Sequence, residues 1–460
     1  MRGGRLRQAG AVIETAGNPT AISEVDAWEV LDSRGRPTVA CAVRLQGGAC
    51  GVAAVPSGAS VGAGEAVELR DGGPRYAGRG VLRAVENART VLASAVRGIP
   101  AEEQAQVDAA LRAADSTRDL SRLGANAVLA ISVAAALAAA DATGVPLHVH
   151  AAQRSPSPPL LPLPMVNIVS GGAHAGGAID IQDVLVVPLS AQSFAGALEL
   201  AVRVRAATVE VAEADGRSAT LVADEGGLGL ALPTNRSTLE LVCRGMERAG
   251  LRPGEDAALA IDVAATQIYK DGRYALAAEG RELDADEWVG ELADWARDLP
   301  LVSIEDPCAE NDWAGWARAS TALSGVQLLG DDLFVTSPDL LAEGIARGVG
   351  NAILVKPNQN GTLTGARDVV HRAQAAGYAS VVSARSGETE DSWLADLAVG
   401  WRAGQIKVGS TMRSERTAKW NRLLRIEREL AGQAEYAGRS ALAGRTPGLV
   451  DGPVAGRGEG

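Results

Sequence analysis

Aromatic side chains are nearly missing from this chain: two Phe, five Tyr and eight Trp make up 3% of its 460 residues. That scarcity excludes a core built on large rings, and the abundance of alanine and glycine predicts an aliphatic, closely packed one. Cysteine is sparse as well. Cys41, Cys50, Cys243 and Cys308 show no CxxC spacing, which argues against a disulfide framework or a thiolate metal site and fits reduced thiols in a cytoplasmic protein. Positive charge is in deficit, with 44 Lys and Arg against 56 Asp and Glu and a net charge of −12. A general nucleic-acid surface needs clustered cations, so no nucleic-acid partner is expected. The acidic balance suits a site that gathers carboxylates around cations. Residues 1–23 begin basic but lack the apolar run of a secretory signal, and they read as a flexible extension. The apolar stretch GANAVLAISVAAALAAADATG (124–144) is interrupted by Asn126, Ser132 and Asp141, and alanine is a poor membrane anchor. It reads as a buried helix, and no membrane partner is expected.

What is present is a change of style along the chain. From 24 to about 60 the runs AWEVLD, TVACAVRL and ACGVAAV alternate, separated by the turns SRGRP and QGG, which predicts an antiparallel meander. From about 79 to 143 the pattern is helical and ends at Gly144-Val145-Pro146. Residues 24–154 therefore read as an α+β domain. SPSPPLLPLP (155–164) reads as the linker out of it. Beyond lie MVNIV, VLVVP, ALAID, LVSIED, VQLLGDD, AILVKPN, SVVSARS and QIKVG, eight short apolar runs, with helical patterns filling the gaps after 262. Repeated units of this size predict a closed α/β barrel over 155–440, with 441–460 as a flexible tail.

Six successive runs end in a charged residue: Asp262, Glu305, Asp331, Lys356, Arg385 and Lys407. In a barrel those ends meet at one rim, the rim that carries active sites. Three carboxylates on neighbouring strands repel unless a hard cation such as Mg²⁺ joins them. The three basic groups would neutralise an anionic substrate, with Arg385 offering a planar fork for phosphate or carboxylate. Positive neighbours would lower the Lys356 pKa and leave it able to act as a base. A metal with a lysine base points to proton abstraction beside a carboxylate, with an enolate-like intermediate held by metal charge.

The segments LDSRGRPTV, PSGASVG, GGAHAGG, DEGG, VSIEDP, GDDLFVT, SARSGETED and GQIKVGS, in this order, resemble those of the enolase (phosphopyruvate hydratase) family from about residue 24 to 440. A lysine base with Mg²⁺ is the established arrangement of enolase-superfamily sites. The resemblance implies an eight-stranded TIM-like barrel whose first strands depart from simple βα order, a smaller N-terminal α+β domain, a homodimer and two Mg²⁺ per active site. It implies Asp262, Glu305 and Asp331 as ligands of the first Mg²⁺ and Ser60 as a residue that meets the second. Lys356 matches the base, and Glu225 the acid that assists hydroxide departure. His174 matches a loop histidine over the substrate. Arg385 and Ser386 match phosphate holders, and Lys407 a contact to the substrate carboxylate.

Departures from the family pattern cluster at one end of this site. Ala384 stands where the family has a histidine, and Asp183 where it has a glutamate nine residues after the loop histidine. Val61 replaces a threonine, Gln267 a glutamate, Pro357 follows the lysine base, and LGLALPTN follows DEGG. Three readings stay open. One is dehydration of 2-phosphoglycerate to phosphoenolpyruvate, the enolase reaction of glycolysis. Another takes Ala384 as room for a larger phosphoryl group, as in the carboxyphosphonoenolpyruvate synthases of phosphinate antibiotic biosynthesis. The third is a non-catalytic protein with this fold. For the first two, the partner is a small phosphorylated or phosphonylated carboxylate.

Overall fold

The β1 strand Ile22–Leu31 pairs antiparallel with β2, Pro37–Leu45, which pairs with β3, Cys50–Ala54. This computed structural model describes residues 18–58, 62–152 and 157–444, so Ser60 and Val61 lie outside the described residues. The meander predicted from the alternating runs is present. Helices α1, Gln104–Asp115, and α2, Ala125–Thr143, follow, and α2 packs across β2 and β3. Its apolar side chains are buried against the sheet, and Gly144 at φ +65° ends it. The approach is close: a Cβ on Gly51 would lie 2.1 Å from the Ala134 carbonyl oxygen. Small residues on both faces permit that packing.

The segment read as a proline-rich linker is shorter than expected. Leu160–Leu161 already pairs with Glu435–Tyr436, and β4 runs from Leu163 to Ser170. Pro164 is tolerated because β4 pairs with β5, Asp183–Pro188, only from Val166 onward, leaving the proline with a strand on one side. Six further strands complete the barrel: β6 (Ala257–Asp262), β7 (Leu301–Glu305), β8 (Gln327–Gly330), β9 (Ala352–Val355), β10 (Ala379–Ser383) and β11 (Gly404–Gly409). They pair in chain order from β4 to β11, and β11 closes on β4. The barrel is thus eight-stranded, and β5 runs antiparallel to both neighbours. The gap after β6 also differs from a plain helix: a small antiparallel sheet over 269–283 precedes α3, Ala285–Asp298.

Two packing features bear on the site. The few large rings are concentrated inside, with Trp288, Trp316 and Trp420 fully buried. Their indole N–H groups donate to the carbonyls of Pro307, Cys308 and Ser410 at 2.7, 3.1 and 3.0 Å, and so hold the loops that leave β7 and β11. At the opposite end of the barrel, Gln327 and Gln405 form a reciprocal amide pair beneath the site. The backbone of Ala441 and Ala443 completes that pair, so residues 441–444, expected to begin a flexible tail, are packed in place.

Candidate active site

The rim predicted from the strand ends exists. Asp262 and Glu305 are the last residues of β6 and β7, Asp331 and Lys356 directly follow β8 and β9, and Arg385 follows β10 by two residues. Lys407 instead lies within β11, three residues into it, with its side chain in the barrel mouth. One cleft is lined by His174, Gln182, Glu225, Asp262, Lys356, Ser383, Ala384, Arg385, Ser386 and Lys407. Eight of these were singled out in the sequence; Gln182 and Ser383 were not. Asp183, Glu305 and Asp331 do not line this cleft but contact residues that do.

Local geometry explains each placement. Glu225 sits in a turn closed by backbone hydrogen bonds between Ala223, Gly226 and Gly227, and its carbonyl accepts from Ser410 N at 2.9 Å. Gly409 at φ +114° permits that approach, since a Cβ there would meet the Glu225 carbonyl oxygen at 2.8 Å. Lys356 caps a short helix, Pro357–Asn360, and Pro357 takes its first position, where a missing N–H costs nothing. That departure from the family pattern is structurally neutral. Gln267 donates to Gln182 at 3.0 Å, and Gln182 donates to Asp262 Oδ2 at 2.9 Å, an amide chain a glutamate could not start.

The acids and lysines are paired across the rim. Lys407 Nζ donates to Asp262 Oδ2 at 2.7 Å and to Glu305 Oε2 at 2.6 Å, while Lys356 Nζ is bound to Asp331. Burial opposes the Lys407 charge, but Asp262 and Glu305 outweigh it and hold its pKa well above the ordinary value. Glu305 is likewise pushed well above a normal carboxyl, by burial first and then by the Asp262 charge. The expectation of a lowered Lys356 pKa is corrected here. Burial lowers it most, yet the Asp331 and Glu305 carboxylates together offset this, and the net shift is upward. The sequence pointed to metal charge and Lys407 as neighbours but carried no sign of the direct ion pair with Asp331.

These residues fit a hard cation. Glu305 Oε1 is buried and has no hydrogen-bond partner among the described residues, an orphaned carboxylate oxygen that oxygen-seeking Mg²⁺ would satisfy. Asp331 also clusters with Asp306 and Asp332, their oxygens within 4.8 Å of one another. Asp306, at φ +43°, accepts from the backbone N–H of Asp331 and Asp332 at 3.0 and 2.8 Å and braces that loop.

Asp183, His174 and Glu225 form a carboxylate–imidazole–carboxylate row. Asp183 Oδ2 is 3.2 Å from His174 Nδ1, and His174 Nε2 is 3.8 Å from Glu225 Oε1. Asp183 is wholly buried, and its other oxygen accepts from Asn167 at 2.5 Å and Ser170 at 2.8 Å. Burial lowers the His174 pKa, but Asp183 and Glu225 raise it to about 9. Burial raises Glu225, but the charges of His174, Arg416 and the two lysines bring it below the ordinary value. The proton of the pair therefore resides on His174. The two ring nitrogens face different acids on opposite edges, which makes the row an orienting chain and a poor chelate.

Arg385 is 4% exposed and forms an ion pair with Glu65 of the small domain, at 2.8 Å from Nη1 and 3.4 Å from Nη2. Burial lowers its pKa, but the charge and hydrogen bond of Glu65, joined by the charges of Asp331 and Glu68, hold it above the ordinary value. Glu65 was missed in the sequence, although it follows the quoted PSGASVG by three residues. The cleft wall beside Arg385 is the Ala384 methyl.

Two family models account for nearly all of the described chain. Residues 22–151 match the family described as "Enolase, N-terminal domain", and residues 158–444 match "Enolase, C-terminal TIM barrel domain".

Proposed function

The chain belongs to the enolase family, and from that premise we propose that it is a Mg²⁺-dependent lyase acting on 2-phosphoglycerate. In this reading Lys356 takes the proton from C2, the C3 hydroxyl departs as water, and phosphoenolpyruvate is formed. The observation that carries the reading is the cleft itself. It gathers into one lining Lys356, His174 beside Glu225, and Arg385 with Ser386.

Mg²⁺ held by Asp262, Glu305 and Asp331 would supply positive charge for the enolate-like intermediate. With Asp331 engaged elsewhere, burial and the charges of Arg385 and Lys407 all favour the neutral amine at Lys356, the form a base requires. In place of Glu225, which the resemblance implied as the acid, His174 carries the proton that the leaving hydroxide needs, with Asp183 orienting Nδ1 and Glu225 adjoining Nε2. Arg385 and Ser386 hold the phosphoryl group. Ser60 is proposed for a second Mg²⁺ on the family resemblance alone.

A second reading rests on Ala384. A methyl lines the cleft next to Arg385 where the family pattern has an imidazole, and in this reading the volume the ring would fill is taken by a carboxyl on phosphorus. Incubating the protein with Mg²⁺ and either 2-phosphoglycerate or a carboxyphosphono analogue, followed by phosphorus NMR, distinguishes the two. Conversion of neither, with Mg²⁺ bound, contradicts both.

A further inference from the structure

The small domain reaches into the anion end of the barrel through one side chain. Arg34 lies in the turn between β1 and β2, where Asp32 Oδ1 accepts from the N–H of Arg34 at 2.9 Å and of Arg36 at 2.8 Å. Gly35, at φ +69°, completes this turn. The turn is fixed before it meets the barrel, and the Arg34 side chain is 5% exposed. Its Nη1 donates to Ser386 Oγ at 3.1 Å. Its Nη2 donates to the carbonyls of Ser57 and Gly58 at 3.0 and 2.9 Å, with Asp32 Oδ2 at 3.4 Å.

The barrel is shaped to receive it. Ser57 and Gly387 exchange backbone hydrogen bonds at 2.8 and 3.1 Å. A Cβ on Gly387 would come within 2.4 Å of Arg34 Nη2, so only glycine allows the guanidinium to lie there. From the other side Arg416, fully buried, donates to the carbonyls of Arg385 and Ser386, each at 2.6 Å. One guanidinium thus fixes the backbone of Ser386 and another its hydroxyl.

The chemistry of that hydroxyl gives the consequence. It has one hydrogen and two lone pairs. With a guanidinium donating into one lone pair, the hydrogen cannot point toward Arg34, and it is left for an acceptor in the cleft that Ser386 lines. We propose that Arg34 is a positioning residue for the phosphoryl end, holding Ser386 as a hydrogen-bond donor to the bound anion and tying it to the Ser57–Gly58 segment. This rests on the proposed function to the extent that the anion binds at Arg385 and Ser386.

The test is a double-mutant cycle on the full chain, with inorganic phosphate as probe in the presence of Mg²⁺ and binding read by calorimetry. Arg34→Met is expected to weaken phosphate binding about tenfold in the parent. In a Ser386→Ala background the same change is expected to have little effect, because its target hydroxyl is gone. Equal losses in both backgrounds would reduce Arg34 to a structural link and overturn the proposal. If Arg34→Met does not fold, Arg34→Lys replaces it in the same cycle; a single ammonium cannot reproduce the fork, so a smaller loss confined to the Ser386 background is expected. Arg385→Met is the control. If it leaves phosphate affinity unchanged, the anion end lies elsewhere and both readings fall; if it weakens binding while Arg34→Met does not, only the Arg34 proposal falls.

Discussion

Lys407 Nζ lies 2.6 Å from Glu305 Oε2 and, at 2.7 Å, also holds Asp262, so one ammonium occupies the place between two carboxylates that a cation would take. The rim is charge-balanced from within, and metal binding has to exchange partners rather than enter an empty cage. Replacing Lys407 by Met removes the internal counter-charge. The metal-free protein should lose about 3–5 kcal/mol, the usual penalty for leaving buried charge unpaired. Mg²⁺ should then raise the melting temperature of Lys407→Met by more than it raises that of the parent. Equal Mg²⁺ responses would mean that the ion binds away from Asp262 and Glu305.

Under the proposed function Asp183 would act on the reaction through His174, since its carboxylate contacts Asn167, Ser170 and the imidazole and does not line the cleft. Asp183→Asn should therefore leave solvent deuterium exchange at C2 of the substrate largely intact. Elimination should fall by about 10²–10⁴, the range of an acid–base contribution. Loss of both steps together would place Asp183 in substrate binding or proton abstraction.

The same row predicts a pH dependence. The His174 pKa of about 9 lies above its value in an unfolded chain, so its charge stabilises the fold. That stability is fully present below the unfolded value of roughly 6.5 and is lost as pH rises through about 9. Urea unfolding of the metal-free protein between those values should show the decline, and His174→Gln should flatten it. A parent whose stability rises with pH across this window would contradict the charged imidazole.

Ala384 separates the two substrate readings. If 2-phosphoglycerate is the substrate, Ala384→His should keep or raise the rate on it. If a larger phosphoryl group is the substrate, the ring overfills the pocket at about 1–3 kcal/mol, roughly a five- to hundred-fold loss on the carboxyphosphono analogue. Competition kinetics with both compounds reads the outcome directly.

Much of this was legible in the sequence because strand ends carry their charge with them. Asp262, Glu305 and Arg385 needed only the period of the apolar runs to be placed on one rim. Direction was not legible: VLVVP is as apolar as its neighbours, and nothing in it tells that β5 runs antiparallel. Pairing was not legible either. Lys356 was read against its positive neighbours, whereas its dominant contact is Asp331, fixed by the closure of β8 onto β9. Arg34 and Glu65 escaped notice for a related reason, since they belong to the small domain and gain meaning only where it docks on Arg385 and Ser386.

The most direct test of proton abstraction by Lys356 is proton NMR of 2-phosphoglycerate incubated in D₂O with Mg²⁺ and either the parent or Lys356→Ala. The account predicts loss of the C2 proton signal and appearance of phosphoenolpyruvate with the parent. It predicts neither with Lys356→Ala, although that variant retains the Arg385 and Ser386 anion site. Deuterium entering C2 at equal rates with both proteins would contradict it.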